Sequence, residues 1–285
     1  IPVFFIEEPR NLNEDEDGNI TESSKVSIKE VLQTLTPLYG YLILALYAIG
    51  AKMDLFPYNS IVFYSIIGFG ILLMLITILS KETGENAIQD NDRSYRKLLA
   101  AHSFTWLGVQ TMFIYTYFFI ISNLDPDTKT ASRIVGWAFF LLNGFGAIIP
   151  IVLLEPLAKK IGRVKTHIMA IGLMALGYFG IAFIAKNVVV FLILMAILSI
   201  GWSSLVSLPF AVMTEKINKT KTGLYMGLFN LSVVLPQLVA SFVVGKDIQS
   251  ADNKNLIFII AGASLAVSTI LWIFVSEKSA ENKDK

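Results

Sequence analysis

The sequence predicts an all-α, polytopic membrane protein of about eight transmembrane helices, and three observations carry that expectation. Of its 285 residues 54% are hydrophobic and only 16% charged, with a mean hydropathy of +0.63, more apolar surface than one soluble core encloses. Charge-free runs long enough to cross a hydrocarbon layer of roughly 30 Å recur along the chain. Those runs are apolar on every side, as at residues 61–79 and 188–200, whereas barrel strands would place a polar residue at every second position.

The runs fall at residues 31–51, 59–80, 98–121, 134–154, 166–185, 188–213, 223–245 and 256–275. Ahead of them, residues 1–6 are apolar and break straight into Glu7, Glu8 and Arg10, with neither an initiator methionine nor a basic leader. Residues 1–30 therefore read as the end of a preceding helix followed by an acidic segment too hydrophilic to bury anything. Residues 31–80 then supply two helices, and 81–97 a charged linker between two bundles. Residues 98–276 make a bundle of six helices, and 277–285 a tail.

Orientation follows from the basic residues of short loops, which concentrate on the cytoplasmic side. Lys81, Arg93, Arg96 and Lys97 share one loop; Lys159, Lys160, Arg163 and Lys165 another; Lys216, Lys219 and Lys221 a third; and Lys278, Lys283 and Lys285 the tail. The alternate loops are poorer, holding Lys52, then Lys129 and Arg133, then Lys186, then Lys246 and Lys254. The C-terminus is expected in the cytoplasm, with an even number of crossings of a plasma or inner membrane.

Other classes are disfavoured by composition. A net charge of +1 points to no nucleic acid, and the absence of cysteine removes disulfides and thiolate metal sites. His102 and His167, the only histidines, lie near the ends of their runs, and no carboxylate pair or metal-ligand cluster occurs within the spans, which argues against an enzyme. No cofactor is expected beyond a coupling ion. The last six runs also lack Asp, Glu, Lys and Arg in their interiors, so a buried coupling carboxylate is expected upstream of this sequence.

What the runs do contain is neutral polar side chains at helical spacing. In the seventh, Gly223, Gly227, Asn230, Gln237 and Ser241 fall on one stripe, with Pro236 beside Gln237 as a bend. Gly223 and Gly227 form the small-xxx-small pattern of close helix contact. In the third, Trp106, Gln110, Phe113 and Tyr117 share a face; in the fourth, Asn143 stands beside Gly144 and Gly146, with Pro150 further on. In the sixth, Ser203, Ser204 and Ser207 precede Pro209 and can serve the carbonyl that Pro209 leaves unpaired at a kink. Two readings stand open here. The amides and rings tie helices together, as in a scaffold or receptor, or they line an aqueous cavity, where amides that both donate and accept suit a hydroxylated neutral solute and aromatic faces suit its apolar side.

Several of these stretches resemble a known family. Gly201-Trp202, residues 207–211 (Ser-Leu-Pro-Phe-Ala), residues 223–230 (Gly-Leu-Tyr-Met-Gly-Leu-Phe-Asn) and Leu235-Pro236-Gln237 are similar to the tenth and eleventh helices of sucrose-transporter-like proteins. These group with the glycoside-pentoside-hexuronide cation symporters of the major facilitator superfamily. Phe104-Thr105-Trp106 resembles the start of their seventh helix, and Gly162-Arg163-Val164-Lys165 the basic turn between the eighth and ninth. The resemblance covers residues 90–275. It implies a C-terminal six-helix bundle, a sugar or glycoside substrate, a proton or sodium ion as coupled species, and an amino-terminal bundle as structural partner in the lipid bilayer. Residues 31–80 would then be the fifth and sixth helices, or an extra hairpin after a complete first half. Trp106, Gln110, Asn143, Asn230 and Gln237 become the expected substrate contacts. The basic turn departs from the superfamily pattern, which places an acid one turn before the Gly-Arg pair; here Lys159 and Lys160 precede Ile161, and Glu155 is the nearest acid.

Overall fold

A computed structural model describes residues 27–82, 87–124, 126–217 and 221–277. The expectations for residues 1–26, Lys219 and the tail beyond Glu277 lie outside the described residues. Among these, all regular elements are helical: α1 (Ile28–Thr34), a 3-10 turn (Thr36–Leu38), α2 (Tyr39–Lys52), α3 (Ser60–Ile78), α4 (Ala87–Asn123), α5 (Thr128–Ile149), α6 (Glu155–Ile161), α7 (Arg163–Ile184), α8 (Val188–Thr214), α9 (Thr222–Val239), α10 (Gly245–Ser250) and α11 (Leu256–Trp272). Wider π turns at Pro150–Leu154 and Ala240–Val244 join α5 to α6 and α9 to α10.

Six continuous stretches are long and apolar enough to cross a bilayer, at Ser60–Ile78, Gln89–Asn123, Thr128–Ile161, Arg163–Ile184, Val188–Thr214 and Thr222–Ser250. The run expected at 31–51 is not straight: α1 and the segment Thr36–Lys52 meet at 52°. Pro37 has no N–H for the Gln33 carbonyl, and the Thr36 hydroxyl donates to that carbonyl instead, at 2.7 Å, so the helix turns at little cost in unpaired groups. The eighth run yields α11, whose 17 residues stand at the short limit for a span. Helix length thus supports six of the eight expected crossings, and seven with the bent pair as one.

The helix α4 begins inside the segment expected as linker. Residues 87–97 are its first turns, and from Ser94 onward they are fixed by partners outside the helix: Tyr95 donates to the Tyr225 carbonyl at 2.6 Å, and the buried Lys97 pairs with Glu82 at 3.0 Å. Packing then divides into two apolar clusters. One gathers Phe119, Tyr178, Phe191 and Phe258 from α4, α7, α8 and α11, with Phe258 edge-on to Phe119 at 4.8 Å. The other brings Leu38 and Tyr41 against Leu99, Val212 and Trp272, so the α2–α3 pair leans on α4 and α9. Within that pair Gly40 and Gly70 cross so closely that a Cβ on Gly40 would stand 2.5 Å from the Gly70 Cα, the contact that small residues permit between helices in lipid. Only 22% of the α3 span is enclosed, and its remaining Ile, Leu and Phe surface faces outward as lipid requires.

At the end of the bundle that carries Glu277, polar groups from distant segments meet. The Glu277 carboxylate accepts from the amides of Arg163 (2.6 Å) and Val164 (3.2 Å), the unpaired first N–H groups of α7. Gly162 enters α7 at φ 94°, and a Cβ there would lie 2.3 Å from Glu277 Oε2, so both backbone and space demand glycine. Next along the chain, Ser276 donates to Glu82 at 2.6 Å, accepts from Ser94 at 3.0 Å, and receives Lys216 on its carbonyl. Arg163 pairs with Glu215 at the end of α8. Glu155 is not its partner and binds Lys159 at 2.7 Å on the surface.

Asp127 caps α5, accepting from the amides of Lys129 and Thr130 at 3.0 Å and from the Thr130 hydroxyl. That hydroxyl first, then the amides, hold its carboxyl below the usual carboxylate range. A depressed folded value means the cap stabilises above the unfolded carboxyl's pKa and is lost as pH falls through the folded one. Asp127→Ala should lower amide protection in the first turn of α5 roughly threefold at neutral pH, and acidifying both proteins through the folded carboxyl's pKa should bring their protection factors together. Identical exchange in both proteins at neutral pH would end the capping argument.

Candidate functional site

Trp202, on α8, is the centre of the most extensive aromatic and polar grouping. Its ring stands edge-on to Trp106 (centroids 6.3 Å apart, 80°) and to Phe113 (5.2 Å, 90°), both on α4. Its Nε1 donates to Asn143 Oδ1 on α5 at 3.1 Å. The amide of Asn143 is aimed by its own helix, Nδ2 donating to the Phe139 carbonyl one turn back at 2.8 Å, and Phe139 closes the circuit against Phe113 at 5.2 Å.

The approach of α5 to α8 here is set by two residues. Pro150 removes the N–H that would serve the Gly146 carbonyl, and Ser203 of α8 reaches that carbonyl at 3.1 Å while also serving Ser199. A Cβ on Gly146 would stand 3.0 Å from the Trp202 ring, so the indole lies directly over a bare stretch of backbone. The expectation that serines serve the carbonyl left unpaired by Pro209 is not met among the described residues. Helix α8 runs through Pro209 as one element, and the serine hydroxyls bond the carbonyls of Gly146, Ser199 and Ser203 and the imidazole of His167, none of them the Leu205 carbonyl one turn before the proline.

From Trp106 the aromatic row continues. Its Nε1 donates to His102 Nε2 at 2.8 Å; His102 stacks on Phe229 of α9 (4.5 Å, 18°), and Phe229 meets Phe210 edge-on at 6.4 Å. Asn230 follows Phe229. On α9 the exposed stripe is Gly223, Met226, Gly227, Asn230, Val234 and Gln237, continued by Ser241 in the π turn, while Tyr225, Leu228, Ser232, Leu235, Pro236 and Val239 are buried. The close helix contact expected at Gly223 and Gly227 is not made among the described residues: nothing stands within 4 Å of a Cβ on either, because the buried side of α9 already packs on α4 and α2. Helix α9 also passes through the buried Pro236 unbroken, and its π turn starts later, at Ala240.

Of the five residues expected to touch substrate, the fold brings Trp106 and Asn143 together through Trp202. Asn230 and Gln237 share the open stripe of α9, and Gln110 is half-buried on α4. Trp202 and His102 were missed as site residues. The Gly201-Trp202 pair was the one signal for the first, and the one-turn spacing from Trp106 for the second. Among the described residues no carboxylate, lysine or arginine enters this aromatic row, so its chemistry is that of neutral amides, indole N–H groups, the His102 imidazole and ring faces. Two apolar clefts lie elsewhere, one lined by Leu35, Leu38, Leu42 and Leu235, the other by Phe145, Ile149, Ile193 and Ile197, and neither contains any of these residues.

A bundle of apolar helices that presents neutral polar and aromatic groups on an open face is an integral membrane protein equipped to meet a neutral solute. More narrowly, a family model of the Major Facilitator Superfamily matches residues 104–285, more than half of the chain, and the chain belongs to that superfamily. No curated protein matches it.

Proposed function

We propose that the protein is a secondary active transporter for a di- or oligosaccharide or glycoside, of the sucrose-transporter-like group, driven by proton or sodium symport through alternating access. The observation that carries this reading is the Trp106–Trp202–Asn143 arrangement, two indoles held edge to face beside an oriented amide. An indole face covers the apolar side of a pyranose, and amides exchange hydrogen bonds with its hydroxyls without imposing a charge. In this reading the open stripe of α9 faces a second, amino-terminal bundle across the translocation path, with Asn230 and Gln237 reaching the sugar and the end bearing Glu277 in the cytoplasm.

Proteoliposomes holding the full-length protein should accumulate radiolabelled disaccharide under an imposed pH or sodium gradient. Accumulation that ignores both gradients would make the protein a facilitator, and no movement of any sugar would leave the scaffold reading. Asn230→Ala and Gln237→Ala should each raise the apparent KM about tenfold, the scale of a lost hydrogen bond to a bound solute, with membrane abundance unchanged. Uptake kinetics identical to the parent in both variants would remove α9 from the site.

A further inference from the structure

We propose that His102 is a positioning residue, fixing the Trp106 indole as a wall of the solute site; the proposal rests on the reading that Trp106 meets the solute. An indole N–H can only donate, so Nε2 of His102 accepts, and the ring is the neutral tautomer with its proton on Nδ1. The imidazole is 1% exposed, and its stack on Phe229 holds its plane. That leaves Nδ1 buried with no hydrogen-bond partner among the described residues. A side chain present only to fill space has no reason to carry an orphaned polar atom into a membrane bundle, where Leu or Phe would fill it without one. The acceptor at Nε2 is what a hydrocarbon could not provide. Trp106 otherwise meets Trp202 only by an edge contact, about which an indole can swing; the bond to His102, one helical turn below, removes that freedom. Through Phe229 the same imidazole ties the indole to α9, the helix that bears Asn230.

Two amides separate the acceptor from the packing. His102→Gln places an oxygen near the position of Nε2, whereas His102→Asn places one near Nδ1, out of reach of the indole. With the full-length protein labelled with fluorotryptophan in lipid nanodiscs, and the Trp106 fluorine resonance assigned through Trp106→Phe, His102→Asn and His102→Leu should shift and broaden that resonance while His102→Gln preserves it. Apparent affinity for radiolabelled sucrose should fall about tenfold in the Asn and Leu variants and less than about twofold in the Gln variant. A Trp106 resonance unmoved by His102→Leu, or moved alike by Gln and Leu, overturns the positioning role. If the resonance moves as expected but Trp106→Phe itself leaves sucrose handling unchanged, the solute reading of Trp106 fails while His102 still orients the ring.

Discussion

Trp202→Ala should weaken the apparent affinity for the transported solute about thirtyfold, close to 2 kcal/mol, the scale of an aromatic anchor lost from a binding surface. The substitution removes the edge contacts to Trp106 and Phe113 and the indole donor on Asn143 together. Trp202→Phe keeps an aromatic ring on α8 but loses the N–H and part of the indole surface, so it should cost less, about tenfold or below. Concentration-dependent uptake in proteoliposomes gives both numbers. Equal and small effects in the two variants would mean that the aromatic row is mere packing and the solute passes elsewhere.

The second large effect falls on stability. Gly108→Ala should destabilise the bundle by about 2 kcal/mol, since overpacking a filled contact carries costs of that order. The new Cβ would lie 2.6 Å from the Ala261 carbonyl and 2.3 Å from Leu265 Cδ1. The leucine can turn away, but a helical carbonyl cannot. The α4–α11 seam also holds Ser268, which donates to the Ala101 carbonyl at 2.7 Å and meets Thr105 at 2.6 Å, bonds that stretch if the helices part. Gly136→Ala reverses the sign. Nothing lies within 4 Å of a Cβ there, so the better helix former should add up to about 1 kcal/mol. Thermal unfolding of the purified protein, followed by loss of monodispersity, should place the two variants on opposite sides of the parent, and melting at one temperature would refute the packing account.

Spans were legible because a bilayer imposes the same local demand on every residue of a helix: no charge and no unpaired backbone. Residues 166–185 and 188–213 needed nothing else to be placed. The bend near Pro37 had its signal in the Thr36-Pro37 pair, which a hydropathy window averages away. By contrast the start of α4 depends on Glu82, Tyr225 and Ser276, and no local property of residues 87–97 announces partners so far along the chain. The site divides in the same way. A stripe on one helix can be counted from spacing, and α9 does turn Asn230 and Gln237 to the open side. A grouping across helices cannot. Trp202 finds Asn143 only because Gly146 and Pro150 let α5 lie against α8, whereas the spacing of Gly223 and Gly227 suggested a close approach that no described residue makes.

The contacts of Ser276 and Glu277 have a mechanical consequence. One short stretch after α11 receives hydrogen bonds from the first amides of α7, from Ser94 on α4, and from Lys216 just past α8, so the ends of four helices are fastened at a single rivet. Any rocking at this end must carry them as a unit, since sliding one past another would strand a carboxylate and two backbone amides at once. The long helices α5 and α9 take no part in this rivet among the described residues, and α9 is held to α4 at this end by the Tyr95 hydroxyl on the Tyr225 carbonyl instead.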